Sequence, residues 1–199
     1  MVSFQEIVDE TGKCDYQALK RFAKEQDQES FVSLVSPRVL VGSGLYRGWF
    51  LNDENPDNGN KNKATVLFQP LDRQQKATRL KMLENQIYPL VPRLKPDPGT
   101  HENKVRVLTV GRSKKCDIIL ADPSISSEHA EFRLDFGDRP SEIACFVRDL
   151  GSSNGVFVNG SRFAPFWTKD LAVGDEIRLS RFSVILSNSA DIYPKLKYG

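Results

Sequence analysis

Between Gly111 and Gly160 the sequence repeatedly offers residues able to hold an anion: Gly111-Arg112-Ser113, then Ile125-Ser126-Ser127-Glu128-His129-Ala130, then Gly151-Ser152-Ser153-Asn154-Gly155, then Asn159-Gly160. Arg112 brings a planar, permanently charged fork suited to bidentate contact with a phosphate or carboxylate. Ser126, Ser127 and Ser153 add hydroxyl and main-chain donors, and Asn154 has both an amide donor and an acceptor with which to grip an extended backbone. One full cation among neutral donors suits reversible binding of a phosphorylated side chain, which carries about −1.5 to −2 charges and three strong acceptor oxygens.

Other chemistry fits these residues less well. Ser126, His129 and Asp149 could form a nucleophilic triad, but the sequence lacks a Gly-x-Ser-x-Gly elbow and His129 opens an apolar strand-like run, so no enzyme is expected. Gly111-Arg-Ser-Lys-Lys lacks the spacing of a triphosphate-cradling loop. Cys14, Cys116 and Cys145 are widely spaced, with only two histidines in the chain, so free buried thiols are expected, with neither a metal site nor a cofactor.

The polar clusters must be brought together by the elements between them. From residue 105 onward the periodicity is strand-like: 105–110, 117–120, 129–136, 143–150, 155–158, 176–179 and 182–187, separated by turn signals at β-sandwich spacing. Asn154-Gly155 and Asn159-Gly160 accept positive φ and favour tight hairpins. Leu171 to Ile177 reads as a turn feeding a closing strand pair.

Before residue 100 the pattern is mixed. Apolar positions Leu19, Phe22, Ala23, Phe31, Leu34 and Val35 suit one or two amphipathic helices, with Asp15 as a cap. Residues 38–51 read as strands around a turn, 52–63 as a polar loop, 64–70 as a strand and 72–88 as a helix ended by Pro89 and Pro92. The Pro-rich stretch 92–104 has the composition of a boundary. The expected organisation is therefore an α+β accessory region over 1–99, a β domain over 100–190 and a tail over 191–199.

Composition sets the wider limits. With 39% hydrophobic and 27% charged residues and a net charge of +2, the 199-residue chain reads as globular. It carries no basic stripe of the kind that neutralises nucleic-acid phosphates and no apolar run of about 20 residues to span a membrane, so a cytoplasmic protein without nucleic-acid or membrane partners is expected.

The motifs Gly111-Arg112-Ser113, Ile125 to Ala130, Ser152-Ser153-Asn154-Gly155 and Asn159-Gly160 together resemble the forkhead-associated (FHA) domain pattern, in order and over roughly the C-terminal half. The resemblance implies a mainly β fold, an eleven-stranded sandwich that binds phosphothreonine peptides through loops at one end. On matching positions, Arg112 and Ser126 would contact the phosphate, Ser127 would assist, Ser153 would lie beside the phosphothreonine and Asn154 would bond the peptide backbone. Gly111, His129, Gly155 and Asn159 would hold loop architecture. The implied partner is a phosphothreonine-containing protein, a Ser/Thr kinase or its substrate; a phosphorylation-independent scaffold on the same sandwich is the alternative. The N-terminal region, ending Ile87-Tyr88-Pro89-Leu90-Val91, is similar to accessory segments of bacterial FHA proteins.

Overall fold

The computed structural model describes residues 4–45, 84–92, 104–139 and 142–199. Three helices come first: α1 (Phe4–Ile7), α2 (Tyr16–Glu25) and α3 (Gln28–Val35). Asp15 caps α2 by accepting from the Ala18 N–H at 2.7 Å, as its position before the apolar run predicts, and Asp27 caps α3 through the Ser30 N–H at 2.8 Å. The strands are β1 (Arg38–Leu45), β2 (Glu84–Pro89), β3 (Val105–Gly111), β4 (Ile118–Ile119), β5 (Ala130–Phe136), β6 (Ile143–Asp149), β7 (Val156–Val158), β8 (Ser161–Arg162), β9 (Thr168–Leu171), β10 (Glu176–Leu179) and β11 (Phe182–Asn188), followed by helix α4 (Ser189–Tyr198).

These eleven strands form two facing sheets, one ordered β2-β1-β11-β10-β7-β8 and the other β4-β3-β5-β6-β9. Alternation explains how they close on each other. In β5, Ala130, Phe132 and Leu134 point inward while Glu131 and Arg133 point out; in β6, Cys145 and Val147 point inward. Leu108, Phe132, Leu134 and Val147 from one sheet meet Leu40, Val156, Ile177, Leu179 and Leu186 from the other in a common core.

Two strands of the six-stranded sheet come from before residue 100. β1 pairs antiparallel with β11 from Arg38↔Asn188 to Leu45↔Phe182, and β2 pairs with β1. The division expected near residue 100 therefore does not separate the strands of the sandwich: β11 pairs with β10 on one side and, on the other, with β1 from the N-terminal side of that point.

The sheet has a second covered face. Val39 and Ile87 are buried among Leu19, Phe22, Ala23, Phe31, Val35, Tyr193 and Leu196, while their chain neighbours Leu40 and Tyr88 face the sandwich core. Helices α2, α3 and α4 thus lie on the outer face of β1 and β2 as a third layer. Phe31 packs between Phe22 and Tyr193, with centroids 6.0 and 5.2 Å away. Tyr193 Oη and Lys197 Nζ both donate to the Gln26 carbonyl at 2.8 and 2.9 Å, closing the end of α2.

Several local expectations change. The helix read over 72–88 is a strand at 84–88; residues 72–83 lie outside the described residues, as do the loop at 52–63, the strand at 64–70 and most of the boundary stretch. The tail beyond residue 190 continues a helix that begins at Ser189, with Pro194 inside it. Strands β8 and β9 arise where no strand was expected. Asn159-Gly160 makes the β7–β8 hairpin, with φ of 50° and 79°, whereas Asn154-Gly155 lies in the connection from β6 to β7, which passes between sheets. All three cysteines are buried free thiols, and burial raises the pKa of Cys145 to about 12. Among the described residues no helix is long and apolar enough to cross a membrane, and no group of three or more His, Cys, Asp or Glu is placed to hold a metal ion.

Candidate functional site

Strand register determines which loops meet. Val110 pairs with Ala130, and Ala130 with Asp149, so the exit of β3, the entry to β5 and the exit of β6 lie at one end of the five-stranded sheet. Arg112, Ser126–Ser127 and Ser153–Asn154 occupy the loops that begin or end there.

The loops are joined by direct bonds. The Arg112 N–H donates to the Ser126 carbonyl at 2.9 Å, and its Nε donates to the Ile125 carbonyl at 3.2 Å. The side chain is exposed, so its terminal amino groups face outward while Nε fixes the plane of the fork. The Ser153 N–H donates to Ser126 Oγ at 3.1 Å. A hydroxyl has two acceptor positions and one donor hydrogen, so Ser126 retains that hydrogen for a ligand. Asn154 Nδ2 donates to the Ser124 carbonyl at 2.7 Å, linking the second loop to the third. Ser127 enters through its main chain, its carbonyl accepting from the Ser113 N–H at 3.0 Å and from Cys116 Sγ at 3.3 Å.

His129 is wholly buried beneath this surface. Its Nδ1 accepts from the Ser126 N–H at 3.1 Å, so the proton sits on Nε2, which donates to the Gly155 carbonyl at 3.3 Å. Burial lowers its pKa below the usual imidazole value and favours this neutral form. Both ring nitrogens are engaged with main-chain groups, and Asp149 Oδ1 accepts from the Ser152 N–H at 2.7 Å. The imidazole therefore addresses the Ser126 backbone rather than its hydroxyl, an arrangement unsuited to activating a nucleophile.

The architectural glycines and Asn159 have local reasons. Gly155 has φ 79°, and a Cβ there would lie 2.4 Å from Arg162 Nε; at Gly111 a Cβ would meet the Ser127 carbonyl oxygen at 2.3 Å. Asn159 Nδ2 donates to Asp175 Oδ1 at 2.7 Å while its Oδ1 accepts from the Glu176 N–H at 3.0 Å, bracing the β7–β8 turn against the entry to β10.

The buried ion pair between Asp122 and Arg181 was not apparent in the sequence. It ties the β4–β5 loop to the turn between β10 and β11. Asp122 Oδ1 also accepts from the Ser124 N–H at 2.9 Å. Burial alone would raise the Asp122 pKa, but the bonds from Arg181 and Ser124 outweigh it and hold the carboxyl below its ordinary value. The partners lie 59 residues apart, and no local pattern connects them.

Comparison with known proteins gives the same pattern a family. The family model described as "FHA domain" matches residues 108–180. Over 98 residues the chain is 39% identical to the DNA damage response protein kinase DUN1 of Saccharomyces cerevisiae, covering 43% of this chain and 18% of that protein. Over 77 residues it is 38% identical to the glycogen accumulation regulator GarA of Mycolicibacterium smegmatis, covering 39% of this chain and 43% of that one. The chain spans less than half the length of these curated relatives. Among solved structures, the MEK1 FHA domain in complex with a HOP1 phosphothreonine peptide is 31% identical, with a TM-score of 0.41, covering 52% of this chain and 88% of that one. The chain therefore carries an FHA domain, matched over residues 108–180, which lies within the two-sheet sandwich that also includes β1, β2 and β11.

Proposed function

We propose that this chain is a phosphothreonine-dependent peptide-binding module acting in Ser/Thr kinase signalling, with a phosphorylated kinase or kinase substrate as its partner. The observation that carries the reading is the joined set of three loops, in which the exposed Arg112 fork, the Ser126 hydroxyl, Ser153 and Asn154 are fixed by bonds between 2.7 and 3.2 Å. Preorganised donors around one cation avoid much of the ordering cost of binding an anion. Arg112 and Ser126 hold the phosphate, Ser127 and Ser153 flank it, and Asn154 bonds the peptide main chain. The β domain runs from β1 to β11, with the helical layer as its accessory part.

Calorimetric titration with a phosphothreonine peptide tests this. Binding is expected at micromolar strength, about −8 kcal/mol. Arg112→Ala should remove about 2 to 4 kcal/mol, a loss of roughly 30-fold or more, because it deletes a charge-assisted pair. Equal affinity of the two proteins, or equal binding of the unphosphorylated peptide, would refute the assignment.

A further inference from the structure

The connection from β8 to β9 carries two large aromatic side chains on the surface: Phe166 is 62% and Trp167 is 70% exposed. Apolar exposure on this scale at adjacent positions calls for an explanation. The segment is pinned in place. The Phe166 N–H donates to the Asp149 carbonyl at 2.9 Å, Arg148 Nε donates to the Phe166 carbonyl at 3.3 Å, and the Trp167 N–H donates to the Ala164 carbonyl at 3.2 Å. Phe166 has φ 66°, a region that a bulky L-residue occupies only under constraint, and such constraint concentrates at functional surfaces. Its ring lies over Gly151, where a Cβ would come within 2.6 Å of the ring Cζ. A side chain at Gly151, which itself has φ 80°, would displace the ring from this position.

This places the pair beside the loops already described. Arg148 pairs with Thr168, so Trp167 lies at the exit of β6. Gly151, beneath the Phe166 ring, is two residues from Ser153, whose N–H is held by Ser126 Oγ. Two residues span at most about 7 Å. An extended peptide advancing roughly 3.3 Å per residue from the phosphate loops reaches this surface within a few positions.

We propose that Phe166 and Trp167 form an aromatic platform that selects a bulky apolar side chain flanking the phosphothreonine in the same bound peptide. The proposal rests on the phosphothreonine reading and adds a determinant of peptide choice outside the phosphate loops. A flanking side chain fits better than a second copy of the chain, because two side chains fall well short of the roughly 800 Å² that each partner of a stable dimer buries.

The test is fluorescence anisotropy with labelled phosphothreonine peptides carrying either leucine or alanine at each of the four positions on both sides of the phosphothreonine. Wild type, Trp167→Ala and Trp167→Phe are compared, with thermal melts confirming that all three are folded. At one or two positions leucine should improve wild-type affinity about fivefold over alanine. Trp167→Ala should lose that gain while binding the alanine peptide as wild type does, and Trp167→Phe should keep most of it. A uniform loss with every peptide, or no leucine preference in wild type, overturns the platform while leaving phosphothreonine recognition intact. Equal binding of phosphorylated and unphosphorylated peptides removes the underlying reading, and the proposal with it. Concentration-dependent dimerisation abolished by Trp167→Ala also overturns it, assigning the surface to self-association.

Discussion

Because both ring nitrogens of His129 are bonded to main-chain groups, its role can be separated from that of Arg112. His129→Ala leaves the Ser126 N–H and the Gly155 carbonyl without their partner and opens a buried space, at a cost of about 2 to 3 kcal/mol. Stability and peptide affinity should fall together, whereas Arg112→Ala should lower affinity alone; chemical denaturation beside calorimetry distinguishes the two. The pH dependence has a definite sign. The folded state holds the His129 pKa below its ordinary value of 6.5, so below that pH the unfolded chain binds the proton first. Its contribution to stability is therefore complete above about pH 6.5 and declines as pH falls toward the lowered folded value. His129→Gln should flatten the slope of unfolding free energy in that window, and an unchanged slope would place the titration elsewhere. Arg112 and His129 each stood out in the sequence as part of a short motif, and the strand register brings those motifs to one end of the five-stranded sheet. Asp122 and Arg181 had no such signal, since their meeting depends on the finished sandwich.

That pair also fixes one element against another. It holds the loop between β4 and β5, which carries Ser126, against the turn between β10 and β11. Removing one member of a buried ion pair strands the other, so Asp122→Ala should cost about 3 to 5 kcal/mol. A thermal melt should show a drop of several degrees, whereas an unchanged melting temperature would show that the pair contributes little. The lowered pKa of Asp122 makes its contribution complete above the ordinary carboxylate value near 3.8 and progressively lost in stronger acid. Elements were less legible than residues. Leu80, Leu83 and Ile87 follow helical spacing, yet 84–89 is a strand because Ile87 meets the helices on one face and Tyr88 the core on the other. Burial on both faces erases the alternation that marks a strand. β8 is two exposed residues, too short for any period, and Pro194 concealed α4.

At the scale of the molecule, the two-sheet architecture was readable from turn spacing and motif order, but its N-terminal contribution was not. A Pro-rich stretch ordinarily marks a boundary, whereas here strands on its two sides belong to one sheet. A fragment of residues 100–199 would lack β1 and β2, baring the edge of β11 and the apolar side chains of Val184 and Leu186. It is expected to aggregate or to lack a cooperative unfolding transition, while the full chain melts as one unit. Size-exclusion chromatography and circular dichroism decide this; a monomeric, cooperatively folding fragment would restore the boundary near residue 100.

The pairing of β1 with β11 also has a consequence in time. Arg38 and Asn188 are 150 residues apart, yet their side chains are hydrogen-bonded at 2.5 Å across neighbouring strands. During synthesis at about 5 to 20 residues per second, β1 waits some 8 to 30 seconds for its partner. Contacts so distant in sequence form slowly. The core face of β1, which carries Leu40 and later meets the facing sheet, and the unpaired strand edge are both exposed in that interval, so chaperone dependence should appear while the chain is being made, before the phosphate loops exist in their final form.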